Sequence, residues 1–253
     1  MRMIAIAMNT YREAIRDRVL YLLLVFGILS ILAAKILGYV SIGDELKIIK
    51  DISLASISIF GTLIAVFVGT NLIYKEIDKR TIYTILSRPI DRREFILGKY
   101  LGLIMLVGMT TVCMATFAAI YIVLLGGTVD IMFLEAVVLI YWKLLLITAF
   151  SVMLSALTSP ILGAIIVLAG YFFGHATGIL IDLPSQLSGT STETIGRAIY
   201  FVTPNLSNFD IWQEYASGIE VTHQYVFWTI GYGTLYTGLI LYLATIAFEN
   251  KDV

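Results

Sequence analysis

The sequence is poor in charged residues. Asp, Glu, Lys and Arg make up 14% of its 253 residues, and hydrophobic residues make up 59%. A soluble domain has about 25% charged and roughly 45–50% apolar residues, so this chain has too little polar material to cover a water-facing surface. Apolar runs of about 20 residues, the length that crosses a bilayer, recur along it. The composition predicts an all-α integral membrane protein, and the net charge of −1 gives no indication of nucleic-acid binding.

Cysteine is scarce, and the motifs of catalysis are missing. The single cysteine, Cys113, lies in an apolar run, which excludes a disulfide framework and a thiolate zinc site. His175 and His223 lack the spacing of a metal motif. The phosphate-binding pattern G-x-x-x-x-G-K-[ST] is absent, since the Gly-Lys pair at 98–99 is followed by Tyr100. We therefore predict that the chain is not an enzyme and binds no metal or cofactor, so that any ATP chemistry belongs to a partner.

Six apolar segments are predicted to cross the membrane as helices. They cover roughly residues 19–40, 52–74, 96–125, 131–157, 160–181 and 225–248. Basic residues stay on the cytoplasmic side, and twelve of the 17 Lys and Arg residues lie near the N-terminus, the 75–95 loop, the 158–160 turn or the C-terminus. The other side holds three, Lys47, Lys50 and Arg197. Both termini are therefore predicted to be cytoplasmic, in a single domain over residues 1–253 at the cell membrane.

Three further segments lie outside the predicted spans. Residues 1–18 combine an apolar stripe with a basic face, which favours an interfacial helix over a plain extension of the first span. The cytoplasmic loop 75–95 is longer than a joint between two spans needs, and it is patterned as a short amphipathic helix that ends at Pro89. The segment 182–224 is predicted to be extracytoplasmic, with turn-rich and aromatic stretches.

Two groups of residues inside the spans are candidates for function. Lys143 lies near the middle of the fourth span, and an ionisable group there either lines a polar cavity or pairs with a carboxylate on a neighbouring helix. Met105, Met109 and Cys113 share one face of the third span. Such soft ligands suit a Cu(I) path, although methionine is also ordinary packing material, which we favour here. The four residues are the candidates for a translocation path.

Three glycines at four-residue spacing, Gly170, Gly174 and Gly178, form a stripe in the fifth span. Such stripes let two helices approach closely in a membrane. We predict a packing role for them, and the spacing does not distinguish a partner helix in this chain from one in a second copy.

The sequence resembles the membrane subunits of ABC transporters of the type-2 exporter class, which are ABCG-like permeases. The resemblance is carried by "AMNTYREAIRDRVLY" near the N-terminus, by "YKEIDKRTIYTILSRPIDRREFILGKYLG" after the second span, and by the six-span plan with a long segment between spans five and six. It covers nearly the whole chain. Within the class, the chain resembles permeases linked to the maturation of multicopper enzymes, including nitrous-oxide reductase.

The resemblance implies that the loop between spans two and three forms a coupling helix, which docks on the ATPase. The residues that it places there are Glu76, Asp78, Arg80, Thr81, Ile82, Ile85, Leu86, Arg88 and Pro89. The family usually has Gly before the Thr of this segment, whereas this chain has Arg80.

The resemblance also implies partners. They are two copies of a cytoplasmic ABC ATPase carrying ATP and Mg, a second permease copy that makes a homodimer, the lipid bilayer, and an extracytoplasmic client protein. The alternative function is that of a membrane scaffold or assembly factor that docks a cytoplasmic partner and transports nothing.

Overall fold

The described part of the chain is entirely helical. A computed structural model describes residues 2–39, 45–75, 91–176 and 203–249, and within these ranges it contains eight α-helices, one short 3₁₀ helix and no strand. The α-helices are α1 (Arg2–Ala14), α2 (Arg18–Gly38), α3 (Glu45–Leu72), α4 (Arg92–Leu124), α5 (Ile131–Leu157), α6 (Pro160–His175), α7 (Trp212–Ser217) and α8 (His223–Glu249), and the 3₁₀ helix is Ser207–Phe209.

Five of the described helices, α2, α3, α4, α5 and α8, are long and apolar enough to cross a membrane. α5 has the bounds expected from the sequence, and α3 begins seven residues before the expected start of its span. α6 has 16 residues and thus a length of about 24 Å, which is short for a bilayer. The rest of the predicted fifth span lies outside the described residues, so the count of six spans stays a prediction.

α3 and α5 form the centre of the bundle. They carry most of the fully buried side chains, and their backbones approach closely because glycines lie at the contact. A Cβ on Gly61 would lie 2.6 Å from Leu144 Cδ1, and one on Gly69 would lie 2.7 Å from Ser151 Cβ. The buried hydroxyls of α3 are partly satisfied within the helix, as where Thr70 donates to the carbonyl of Val66 at 2.9 Å. α2 and α8 lie at the periphery.

α1 packs against the beginning of α4 at a second glycine contact. A Cβ on Gly102 would lie 2.4 Å from the carbonyl oxygen of Ala7, and one on Gly98 would lie 2.9 Å from the side chain of Ile6. The large apolar residue Ile4 of α1 remains exposed. The glycines of α4 therefore let α1 approach closely, while an apolar side chain of α1 stays accessible to lipid.

The stretch of residues 203–217, here called the connecting segment, packs into the bundle before α8 begins. The backbone N–H of Leu206 donates to the carbonyl of Gly174 at the end of α6, at 3.0 Å. Phe209 is fully buried against α8, where a Cβ on Gly233 would lie 2.9 Å from its ring. The segment ends at Gly218, whose φ of 71° gives the left-handed cap that stops α7.

Candidate functional site

Lys143 lies at the middle of α5 and is completely buried. Its Nζ donates to Ser58 Oγ of α3 at 2.6 Å and to Asp210 Oδ1, with which it forms an ion pair. The aromatic faces of Trp212 and Tyr171 flank the ammonium, with ring centroids 4.9 and 5.8 Å from Nζ. A buried ammonium is stable only when it is paired and hydrogen-bonded, and this environment supplies both conditions.

Asp210 joins a second basic group to the same site. Its Oδ2 lies 2.7 Å from Nε2 of His175, and Nδ1 of His175 lies 2.8 Å from the carbonyl oxygen of Tyr171. A backbone carbonyl can only accept, so Nδ1 must carry a proton. We call this set of side chains the ion network (Ser58, Lys143, His175 and Asp210).

The ion network joins four parts of the chain that are distant in sequence. Ser58 belongs to α3, Lys143 to α5 and His175 to the end of α6, while Asp210 directly follows the 3₁₀ helix of the connecting segment. The side chains of Lys143, Asp210 and His175 are 0%, 10% and 25% exposed. Solvent exposure therefore increases along the network from Lys143 to His175.

Nearby contacts hold the connecting segment in place. Tyr215 is buried, and its hydroxyl donates to the carbonyl of Thr128 at 3.3 Å. The ammonium of Lys50 lies 4.6 Å from the centre of the Tyr215 ring. Burial raises the pKa of Tyr215, and the nearby carboxylate of Asp130 raises it further, so the phenol stays a neutral donor. The connecting segment is thus held at two residues, by Asp210 in the ion network and by Tyr215 beside Thr128 and Lys50.

The sequence agrees with one known family over nearly its whole length. A family model described as ABC-2 family transporter protein matches residues 4–253. The chain belongs to the ABC-2 transporter family. It is therefore the permease, or membrane subunit, of an ABC transporter, and a multi-pass membrane protein that is not itself the catalytic subunit. A search of curated proteins found no similar sequence.

The predicted coupling residues of this permease lie outside the described part of the structure. They are Glu76, Asp78, Arg80, Thr81, Ile82, Ile85, Leu86, Arg88 and Pro89. The structure describes the chain up to Lys75 and again from Asp91. Lys75, three residues after the end of α3, has its Nζ 3.4 Å from the carboxylate of Asp17, which lies between α1 and α2. The coupling role of the loop stays a prediction.

The four residues that the sequence offers as candidates for a translocation path do not lie together in the structure. Lys143 is fully buried, whereas Met105, Met109 and Cys113 are exposed on the outer face of α4. Met109 Sδ accepts a hydrogen bond of 2.9 Å from the hydroxyl of Tyr11 in α1. Within the described residues, no group of three or more His, Cys, Asp or Glu side chains is placed to hold a metal ion.

The glycines of α6 differ from one another in their surroundings. A Cβ on Gly174 would lie 2.7 Å from Leu206 Cγ and 3.0 Å from the carbonyl oxygen of Pro204, so this glycine makes room for the connecting segment of the same chain. A Cβ on Gly170 would meet only Phe150, at 3.9 Å. Gly178 lies outside the described residues.

Sequence reasoning identified Lys143 but missed its partners. One interpretation of the sequence placed the partner carboxylate on a neighbouring membrane helix. In the structure it is Asp210, on the connecting segment. The signal was present, because Asp210 lies in the apolar stretch "NFDIW", where an isolated carboxylate needs a partner. The sequence gives no metal spacing for His175, and its place in the ion network emerges only from its two hydrogen bonds.

Proposed function

We propose that this permease is the membrane subunit of an exporter, driven by ATP that a separate cytoplasmic ATPase hydrolyses. The observation that carries the proposal is the family match over residues 4–253, because ABC-2 permeases generally work with such an ATPase. In this proposal two permease copies pair and two ATPases dock beneath them. ATP and Mg are bound by the ATPases and not by this chain.

The loop 75–95 is the proposed point where the ATPase acts on the permease. Both ends of this loop are attached to the N-terminal helices. Lys75 forms an ion pair with Asp17, and Gly98 of α4 lies close enough to α1 that a Cβ there would be 3.1 Å from the carbonyl oxygen of Met3. A displacement of the loop would therefore move α1, α3 and α4 together. Glu76 and Arg88 are the proposed charged contacts with the ATPase.

The ion network is the proposed device that carries this motion to the opposite end of the bundle. Removing one partner from a buried ion pair costs about 3–5 kcal/mol, since the other charge is left uncompensated. Separating Lys143 from Asp210 during transport would meet a similar penalty. α3, α5, α6 and the connecting segment therefore move as one body, and the change of access occurs between the two copies.

Purification with the native partner tests this function. The tagged permease is extracted from its own host's membranes in a mild detergent, and the co-purifying proteins are quantified by mass spectrometry. We expect an ABC ATPase in a one-to-one ratio with the permease, and its ATP hydrolysis to increase when the permease is present. A stoichiometric partner without an ATPase domain would support the scaffold function instead.

A further inference from the structure

An apolar groove opens between α5, α6 and the connecting segment. It has a volume of about 320 Å³, and Phe150, Gly170, Tyr171 and Leu206 are among the residues that line it. Among the described residues, no charged side chain lines it. Gly170 leaves space in its wall, because the nearest atom that a Cβ there would meet, among the described residues, is in Phe150 at 3.9 Å.

With the turn between α5 and α6 placed at the edge of the hydrocarbon, the groove lies at the depth of the bilayer centre. Ile147 and Gly170, on its two walls, are each ten residues from the nearer end of the turn between α5 and α6. At 1.5 Å per residue this places both about 15 Å from the turn, which is half of the hydrocarbon thickness of about 30 Å. Hydrocarbon tails are the surrounding medium at this depth.

We propose that the groove binds one acyl chain of a membrane phospholipid. A helix of a second copy, about 10 Å wide, could insert only single side chains into it. The volume corresponds to about ten units of the ~30 Å³ that a water molecule occupies, and a methylene group is of similar size. A leucine knob with four side-chain carbons would leave most of the groove empty, whereas a linear chain of about ten carbons fills it, which close packing favours.

An acyl chain in the groove would touch the residues that border the ion network. Tyr171 lines the groove, its ring centroid lies 5.8 Å from Nζ of Lys143, and its ring lies 4.2 Å from that of His175. Leu206 lines the groove from the connecting segment. The bound chain therefore fills space beside the point where that segment is anchored. This inference requires only that the helices lie in a bilayer, and it does not depend on the ATPase or on the direction of transport.

Photo-cross-linking in vesicles tests the proposal. The permease is reconstituted in phosphatidylcholine vesicles that contain a trace of phosphatidylcholine with a diazirine near the end of one acyl chain. After illumination, adducts are mapped by mass spectrometry. We expect adducts concentrated at the groove and lost in Gly170→Leu, which fills it. Gly238→Leu, at an exposed glycine of α8 where a Cβ meets nothing within 4 Å, is the matched control and keeps them.

A second variant keeps the proposal testable if Gly170→Leu does not fold. Thr203→Trp fills the same groove from the connecting segment, and monodispersity in size-exclusion chromatography shows that each variant is folded. Groove adducts at the wild-type level in the folded variants would overturn the proposal. So would an efficient disulfide between two copies of Gly170→Cys in a Cys113→Ala background, since it would show that a second copy covers the groove.

Discussion

Replacing Asp210 by asparagine should destabilise the permease more than replacing Lys143 by methionine. The two substitutions remove the two partners of one buried ion pair, but the charges that remain differ. Without Lys143, the carboxylate of Asp210 still contacts His175 at 2.7 Å. Without that carboxylate, Lys143 is left completely buried, with Ser58 as its hydrogen-bond acceptor and no counter-charge among the contacts described.

The expected magnitudes follow from this asymmetry. Asp210→Asn leaves an uncompensated buried charge, which costs about 3–5 kcal/mol. Lys143→Met removes one charge-assisted hydrogen bond from the carboxylate of Asp210, which costs ~1–3 kcal/mol. The carboxylate keeps its contact with His175. The double variant lacks the uncompensated ammonium. It should therefore be more stable than Asp210→Asn alone, so that Lys143→Met acts as a partial rescue.

Thermal unfolding in detergent measures this order. The four proteins are heated, and the folded fraction is followed by size-exclusion chromatography. From the highest Tm to the lowest, the expected order is wild type, Lys143→Met, the double variant and Asp210→Asn. Glu220→Gln and Lys47→Met, which remove exposed charges, are the matched controls and should leave the Tm unchanged. The ion network as described would be refuted if the double variant had a Tm as low as that of Asp210→Asn. It would also be refuted if Asp210→Asn had the Tm of the wild type.

Three further substitutions have defined outcomes. Gly102→Ala places a Cβ within 2.4 Å of the backbone of α1, so we expect α1 to shift at a cost of about 1–3 kcal/mol and to become more sensitive to limited proteolysis. Gly238→Ala, with nothing within 4 Å, should not have this effect. His175→Phe should lower the Tm less than Asp210→Asn, because Lys143 keeps its counter-charge. Gly174→Leu should displace the connecting segment, so that a cysteine introduced into that segment in a Cys113→Ala background would be labelled faster.

Each of these outcomes can fail on its own. Unchanged proteolysis of α1 in Gly102→Ala would contradict the close contact between α1 and α4. A His175→Phe variant less stable than Asp210→Asn would mean that histidine, and not lysine, dominates the network. Unchanged labelling in Gly174→Leu would mean that the connecting segment does not rest on the end of α6.

The membrane helices could be predicted from the sequence because crossing a bilayer requires a long apolar run, which is a local property. The predicted span 131–157 coincides with α5. α3 extends beyond its predicted start because Glu45–Asp51 continue the helix although they carry charge, and hydropathy marks only the apolar part of a helix. Helix ends depend on capping and packing, which hydropathy does not record.

The partners of Lys143 could not be predicted in the same way. Asp210 is 67 residues away and His175 lies on a third element, so no local spacing relates them. A charge in an apolar run implies that some partner exists, but only the packing of the connecting segment against α6 determines which one. The resemblance to exporter permeases included "GKYLG", whose glycines 98 and 102 prove to be the contact for α1. That role depends on where α1 lies, which the motif alone does not reveal.

The central claim, that a partner ATPase drives this permease through the loop 75–95, is tested most directly by ATP hydrolysis in the reconstituted complex. We expect hydrolysis above that of the isolated ATPase with the wild-type permease, and a loss of this stimulation in Glu76→Ala and Arg88→Ala. Lys47→Ala removes an exposed charge near the far end of α3 and should preserve the stimulation. Wild-type stimulation in both loop variants, with folded protein in each, would contradict the claim.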